Sequence, residues 1–269
     1  MRQLTALVLA GTRTGGDPLA AYAGVSHKAL IEVGGTTMIE RVVSTLAAAP
    51  DVARIIVAIE RPDLLIGLPG LQPPLCCKPV STMPTESGPS ATVAAALVRE
   101  GTPLLVTTAD HALLEAAWVQ EFLAACPADA DVVLGLAERA AVEAAAPDTR
   151  RTWLRFSDGD FSGCNLFLMA SPAAAGAVTL WRELERERKA PLRMMRRLGW
   201  TIALRYRLGW LSSTAATARL GALAGGASIT IAQMSDGRAA IDVDKPEDLD
   251  LVRRLVEVRR EGICSGSAN

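Results

Sequence analysis

Apolar positions in this chain fall into two kinds of stretch. Residues 5–10, 54–59, 103–108, 132–136 and 166–170 are short runs rich in consecutive apolar residues, as strands buried on both faces require, and 228–233 reads as a further strand. Between them, apolar residues recur three and four apart, most plainly Met38, Ile39, Val42, Val43 and Leu46, which predicts a helix over 38–48. Helices are expected likewise over 90–100, 116–125 and around 214–223. Strand and helix alternate to about residue 190. This order predicts an α/β fold, a doubly wound, mostly parallel mixed sheet flanked by helices. Residues 69–84 are proline-rich and read as irregular. Near the other end, 241–244 reads as extended and Pro246-Glu-Asp-Leu-Asp250 opens an amphipathic helix to about Arg260, with proline and acidic residues in its first turn. No repeat or linker divides 1–260, which reads as one domain; 261–269 is small, polar and tail-like.

Half of the 269 residues are hydrophobic but only 4% are aromatic, so smooth helix–sheet contacts rather than aromatic clusters should form the core. A net charge of −1 excludes a nucleic-acid-binding surface spread over the whole protein. Five cysteines with no C-x-x-C suggest neither a disulfide framework nor a zinc site, and fit a reducing, cytoplasmic setting. No apolar run reaches the roughly 18 residues of a membrane span, and no leader pattern opens the chain. The break in composition comes at 182–207, with nine Lys or Arg against three Glu. Interleaved with Leu192, Trp200, Tyr206 and Trp210, this segment suits a basic helical insertion near 182–223. It admits three uses: a solvated subdomain, a dimer contact, or peripheral contact with the inner membrane face through 182–210. Monomer and homodimer both stay open.

Candidate chemistry begins where the first apolar run ends. Leu9-Ala10 passes into Gly11-Thr12-Arg13-Thr14-Gly15-Gly16, and Lys28-Ala29-Leu30 follows. Glycines let backbone N–H groups approach phosphate oxygens, and Arg13 and Lys28 supply cations. The loop is neither a Walker A sequence nor G-x-G-x-x-G, and an ordinary strand-to-loop turn uses the same residues. Asp110 stands just past the apolar run 103–108, where a turn or helix cap could equally place it. In Asp242-Val243-Asp244, extended backbone would point both carboxylates to one face, where they could share a cation. Mg²⁺, which keeps several waters and takes a few carboxylate and phosphate oxygens, suits Asp110 plus one of that pair.

Four of these segments together resemble one family. Leu9-Ala-Gly-Thr-Arg13, Lys28-Ala-Leu30, Thr107-Thr-Ala-Asp110 and Asp242-Val-Asp-Lys-Pro-Glu-Asp-Leu249 are similar to the motifs of the MobA-like NTP transferases, nucleotidyltransferases with a GT-A-type, Rossmann-like fold. The chain departs from the pattern in the shortened Gly11-Thr12-Arg13, in His27 before the lysine, and in His111-Ala112 after the aspartate. The resemblance implies an enzyme that moves a nucleoside monophosphate from an NTP, CTP or GTP preferred, to a phosphorylated small-molecule or lipid-headgroup-like acceptor, releasing pyrophosphate. It implies Arg13, Lys28 and Asp110 as catalytic, and Mg²⁺, with Mn²⁺ as substitute, on Asp110 and Asp244 with Asp242 assisting. Leu9, Ala10, Gly11, Thr12, Gly15, Gly88, Pro89 and Ser90 would line the nucleotide, although Ser90 also suits a simple helix cap. Arg150, Arg151, Arg155 and Asn165 would meet the acceptor, since arginine clusters recognise phosphate.

Two other functions share these parts. A GT-A glycosyltransferase would use D-x-D around a nucleotide-sugar's diphosphate, usually after a central strand, whereas here it lies near the carboxyl end. A nucleotide-binding regulator would keep the fold without turnover, against which the retained Arg13, Lys28, Asp110 and Asp244 speak. His27 and His111 read as supporting residues, and Met194-Met195 as core.

Overall fold

The hydrophobic run at the amino end forms β1 (Leu4–Leu9), with Ala6 and Val8 buried on one side of the sheet and Leu7 on the other. The structure, a computed structural model, describes residues 3–12, 16–187 and 190–266. After β1 come α1 (Pro18–Tyr22), the short hairpin β2 (Glu32–Val33) and β3 (Thr36–Thr37), then α2 (Met38–Ala48) and β4 (Val52–Ala58). The middle of the chain gives β5 (Val80–Met83), α3 (Pro89–Glu100), β6 (Leu104–Thr108), α4 (Ala116–Ala124), β7 (Val132–Glu138) and α5 (Arg139–Ala145). The rest forms β8 (Leu154–Phe156), β9 (Gly159–Met169), α6 (Ala174–Glu187), α7 (Pro191–Leu198), α8 (Trp200–Arg207), α9 (Ser213–Leu223), β10 (Ile229–Met234) and α10 (Pro246–Gly266).

Eight strands make one mostly parallel mixed sheet in the order β10-β7-β9-β6-β1-β4-β5, with β8 added to β9. β9 runs antiparallel to β6, β7 and β8, while β1, β4, β5 and β6 are mutually parallel, as are β7 and β10. The doubly wound α/β fold expected from the sequence is the fold observed. Its helices start for identifiable reasons. In α2, the Thr37 hydroxyl accepts from the Glu40 N–H at 3.3 Å and the Glu40 carboxylate accepts from the Thr37 N–H at 3.2 Å, a reciprocal cap that satisfies two end groups of the helix.

Two elements correct the sequence reading. Residues 69–84, read as irregular, contain β5, an edge strand paired only with β4; its half-exposed Val-Ser-Thr-Met lacks the apolar signal of a central strand. The strand read at 166–170 begins at Gly159. Its polar residues Ser162 and Asn165 belong to the ladder around an irregularity opposite Leu134–Leu136, where Asn165 takes φ of 49°. Such a bulge re-aims a side chain, and asparagine is among the residues that tolerate positive φ. Residues 241–244 form no ladder. Ile241 and Val243 are nevertheless fully buried while Asp242 and Asp244 face the other way, so the alternation expected of extended backbone is present.

Candidate active site

The sheet reverses direction of winding at β1. From β1 the chain goes to β4 and β5 on one side, then returns to β6 on the other, and between such strands a crevice opens beyond their carboxyl ends. The pairing continues one residue past the strands, with Ala10 N–H on the Ala58 carbonyl and Ala109 N–H on the Leu9 carbonyl, both at 2.9 Å. Gly11, Ile59-Glu60 and Asp110 therefore leave the sheet side by side. The Val243 N–H donates to the Asp110 carbonyl at 3.1 Å, which fixes the Asp242–Asp244 segment to the same place. A surface hollow of about 620 Å³ among Gln3, Thr102, Asp131 and Ser171 lies at the opposite, amino ends of these strands and contains none of the charged groups below.

Lys28 stands at the start of a short 3-10 turn, Lys28–Leu30, capped by His27, whose Nδ1 accepts from the Ala29 N–H at 3.1 Å. That bond leaves the proton on His27 Nε2, which lies 3.2 Å from Glu60 Oε1 and donates to it. The Lys28 ammonium then reaches Asp110 Oδ2 at 2.6 Å and Asp244 Oδ1 at 2.7 Å. Burial opposes its charge, but the two carboxylates win and hold its pKa above the ordinary lysine value. Burial pushes Asp110 the other way, above the usual carboxylate range, with Lys28 offsetting part of the shift and Asp242 adding to it. The Asp110 Oδ1 oxygen is buried and has no hydrogen-bond partner among the described residues.

Asp242 is turned from this pair toward β9 and the loop before β8. It accepts from the Arg151 guanidinium, and its Oδ2 accepts from Asn165 Nδ2 at 2.7 Å. Asp248, in the first turn of α10, takes the Asp244 and Lys245 N–H groups at 3.2 and 3.0 Å and faces Arg151 at 3.9 Å. Arg151 and Asp242 are both mostly buried, so removing either would leave an uncompensated charge. Asp110 and Asp244 are brought together by Lys28, and Asp242 is placed beside them on a separate set of partners. Among the described residues no group of three or more His, Cys, Asp or Glu is placed to enclose a metal ion. Of the three arginines expected at the acceptor, Arg151 turns inward while Arg150 and Arg155 are exposed, so the three do not form one cluster.

Leu9 and Ala10 end β1 at the crevice, and Gly11 follows at a close approach. A Cβ there would lie 2.8 Å from Thr85 Cγ2, which explains the glycine. Thr12 bonds Glu60 through its hydroxyl and through its N–H, at 3.2 Å to Oε1. Arg13 and Gly15 lie outside the described residues. Gly88, Pro89 and Ser90 form the start of α3, but the groups facing them come from α6: Ser90 donates to Glu185 through its hydroxyl, and through its N–H at 3.3 Å. Glu60 and Glu185 were not singled out from the sequence, and Asp248 was read only as part of the Asp242–Leu249 motif and a helix's first turn. The position of Glu60 immediately after a strand that ends at the crevice was the available signal; for Glu185, on a distant helix, there was none.

His111, next to Asp110, is 1% exposed and stacked against Trp118, with ring centroids 6.3 Å apart. Burial lowers its pKa from 6.5 to about 4, opposed in part by Asp242. Below pH 6.5 the unfolded chain therefore binds a proton that the native protein refuses until about pH 4, and stability falls as pH drops through that window. The expected loss is roughly 3 kcal/mol from this group alone. In denaturant titrations at neutral and acid pH, His111→Phe should flatten the slope; an unchanged slope would remove His111 as its source.

The family model for the MobA-like NTP transferase domain matches residues 6–198, most of the chain. The chain belongs to that family. A hypothetical transferase from Thermus thermophilus is 32% identical to this MobA-like protein and superposes with a TM-score of 0.77, over 93% of this chain and all of that one. Two further structures share the fold. A 4-diphosphocytidyl-2C-methyl-D-erythritol synthase from Anaerococcus prevotii has 9% identity and a TM-score of 0.58, over 95% and 99% of the two chains. A CMP:2-keto-3-deoxy-manno-octonic acid synthetase complexed with CTP has 14% identity and a TM-score of 0.59, over 96% and 100%. No curated protein matches the chain. As a MobA-like NTP transferase the protein is a nucleotide-transferring enzyme; the matched region contains Leu9, Lys28 and Asp110, and Asp242 lies beyond it.

Proposed function

We propose that this MobA-like enzyme transfers a nucleoside monophosphate from an NTP to a phosphorylated acceptor, which is a small molecule or a lipid-headgroup-like compound. An acceptor phosphate oxygen attacks the α-phosphorus, the bond from the α-phosphorus to the bridging oxygen of the β-phosphate breaks, and pyrophosphate leaves with that electron pair. The attacking group is already an oxyanion, so positioning and charge stabilisation suffice and no general base is needed. The observation that carries this reading is the Lys28 ammonium at 2.6 and 2.7 Å from Asp110 and Asp244, at the crevice beside the Gly11 turn.

In this reading Lys28 meets the α-phosphate as charge builds, and Arg13 meets the β- and γ-phosphates and the leaving pyrophosphate. Leu9, Ala10, Gly11, Thr12 and Gly15 lie along the nucleotide, with Gly88, Pro89 and Ser90 on its base and ribose side. Arg150 and Arg155 are the exposed guanidinium groups for the acceptor phosphate; Arg151 and Asn165 keep Asp242 aligned. The buried, unpartnered Asp110 Oδ1 fits a cation ligand. Asp110 and Asp244 would hold Mg²⁺ or Mn²⁺, with Asp242 assisting, and the ion would neutralise phosphate charge and polarise phosphate oxygens. The fold is shared with one synthetase seen with CTP and one named for a diphosphocytidyl compound, which supports CTP as a donor beside GTP.

The test is pyrophosphate release with each of the four NTPs, with Mg²⁺ and a panel of phosphorylated sugars, alcohols and lipid-headgroup precursors. Release from CTP or GTP that needs an acceptor is expected. Release of a nucleoside diphosphate from a nucleotide-sugar with no pyrophosphate from any NTP, or tight NTP binding with no turnover against every acceptor class, would contradict the assignment.

A further inference from the structure

The surface formed by α8 and the residues after it is unlike the rest of the molecule. Trp200, Leu204 and Leu208 recur at four-residue spacing on one side of the helix and are 56%, 57% and 46% exposed, and Trp210 is 67% exposed. Large apolar groups grouped in this way mark an interaction surface rather than scattered exposure. The helix is docked through another side. The Tyr206 ring meets Phe156 edge-on at 5.9 Å, and its hydroxyl accepts from the Arg155 N–H at 3.3 Å. The exposed stripe therefore faces outward from an anchored helix.

Charge selects the occupant. Residues 190–211 contain five arginines and no Asp or Glu. Arg197 is held by Glu183 and Glu187, whereas Arg193, Arg196, Arg205 and Arg207 are exposed, with no carboxylate at ion-pair distance among the described residues. A second copy of this face would set arginines against arginines. An anionic bilayer satisfies both halves of the pattern, with indole and leucine side chains entering the headgroup boundary and guanidinium groups meeting lipid phosphates. Among the described residues no helix is long and apolar enough to cross a membrane, so the contact would be made on the surface. α8 is joined through Tyr206 to β8, and β8 pairs with β9, which carries Asn165 to the candidate site.

We propose that Trp200, Leu204, Leu208 and Trp210, flanked by Arg205 and Arg207, dock this enzyme on an anionic bilayer. The inference stands apart from the choice of donor and acceptor. It is tested by sedimenting the full chain with vesicles of phosphatidylcholine and phosphatidylglycerol in equal amounts, and with phosphatidylcholine alone. The protein should pellet with the mixed vesicles and far less with the neutral ones. Arg205→Gln and Arg207→Gln should each weaken binding about fivefold, and Trp200→Ser with Trp210→Ser roughly tenfold or more. Failure to pellet with either vesicle would overturn the proposal, as would binding that none of these substitutions alters. So would a concentration-dependent dimer in light scattering that the tryptophan substitutions abolish in a protein that does not bind vesicles.

Discussion

Replacing Lys28 by methionine is expected to lower turnover by about three orders of magnitude while the protein stays folded, since a preorganised charge at a phosphoryl-transfer centre contributes on this scale. Methionine keeps a straight side chain of similar length and removes the ammonium. Its loss acts twice. The developing charge at the α-phosphorus loses its partner, and Asp110 and Asp244 lose the cation between them. Burial already raises the Asp110 pKa, and Lys28 is the chief influence holding it down. Without Lys28 it must climb further, so the acid limb of the residual rate should move to higher pH. A rate loss with an unmoved acid limb would mean that Lys28 serves the nucleotide but not the carboxylates; a near-normal rate would remove it from catalysis altogether.

Asp110→Asn is the second large effect. The amide keeps the size and much of the hydrogen bonding of the carboxylate but removes the charge from the centre of the site. Turnover should fall by about 10³-fold. Stability should change little, because Lys28 keeps Asp244 as its partner at 2.7 Å and a carboxylate is no longer buried. The contrast between a lost rate and a retained melting temperature separates a role in the reaction from a role in the fold. A large drop in both would make Asp110 a structural aspartate whose pairing with Lys28 supports the crevice.

The central strands were legible because each is buried on both faces and so reads as an apolar run. β5 was not, because an edge strand needs only one apolar side. The amino half of β9 was hidden by polar residues that its irregular pairing turns toward the site, Asn165 above all. The charged groups of the site could be named from the sequence because their motifs are local. Their partnership could not: Lys28 meets Asp110 82 positions away and Asp244 216 positions away, and only the winding of the sheet joins them. The same holds for the arginines. Arg150 and Arg151 are neighbours in the chain, yet one faces solvent while the other is drawn inward by Asp242 and Asp248.

The central claim is that Asp110 and Asp244, gathered at the Gly11 turn by Lys28, form one working site with a divalent cation and an NTP. It is tested most directly by measuring acceptor-dependent pyrophosphate release against Mg²⁺ concentration for the unaltered protein and for Asp110→Asn. A saturable rise with Mg²⁺ in the first, and a rate in the second about 10³-fold lower that added Mg²⁺ or Mn²⁺ restores only in part, is the result expected. Equal rates with the same Mg²⁺ dependence in both proteins would contradict it.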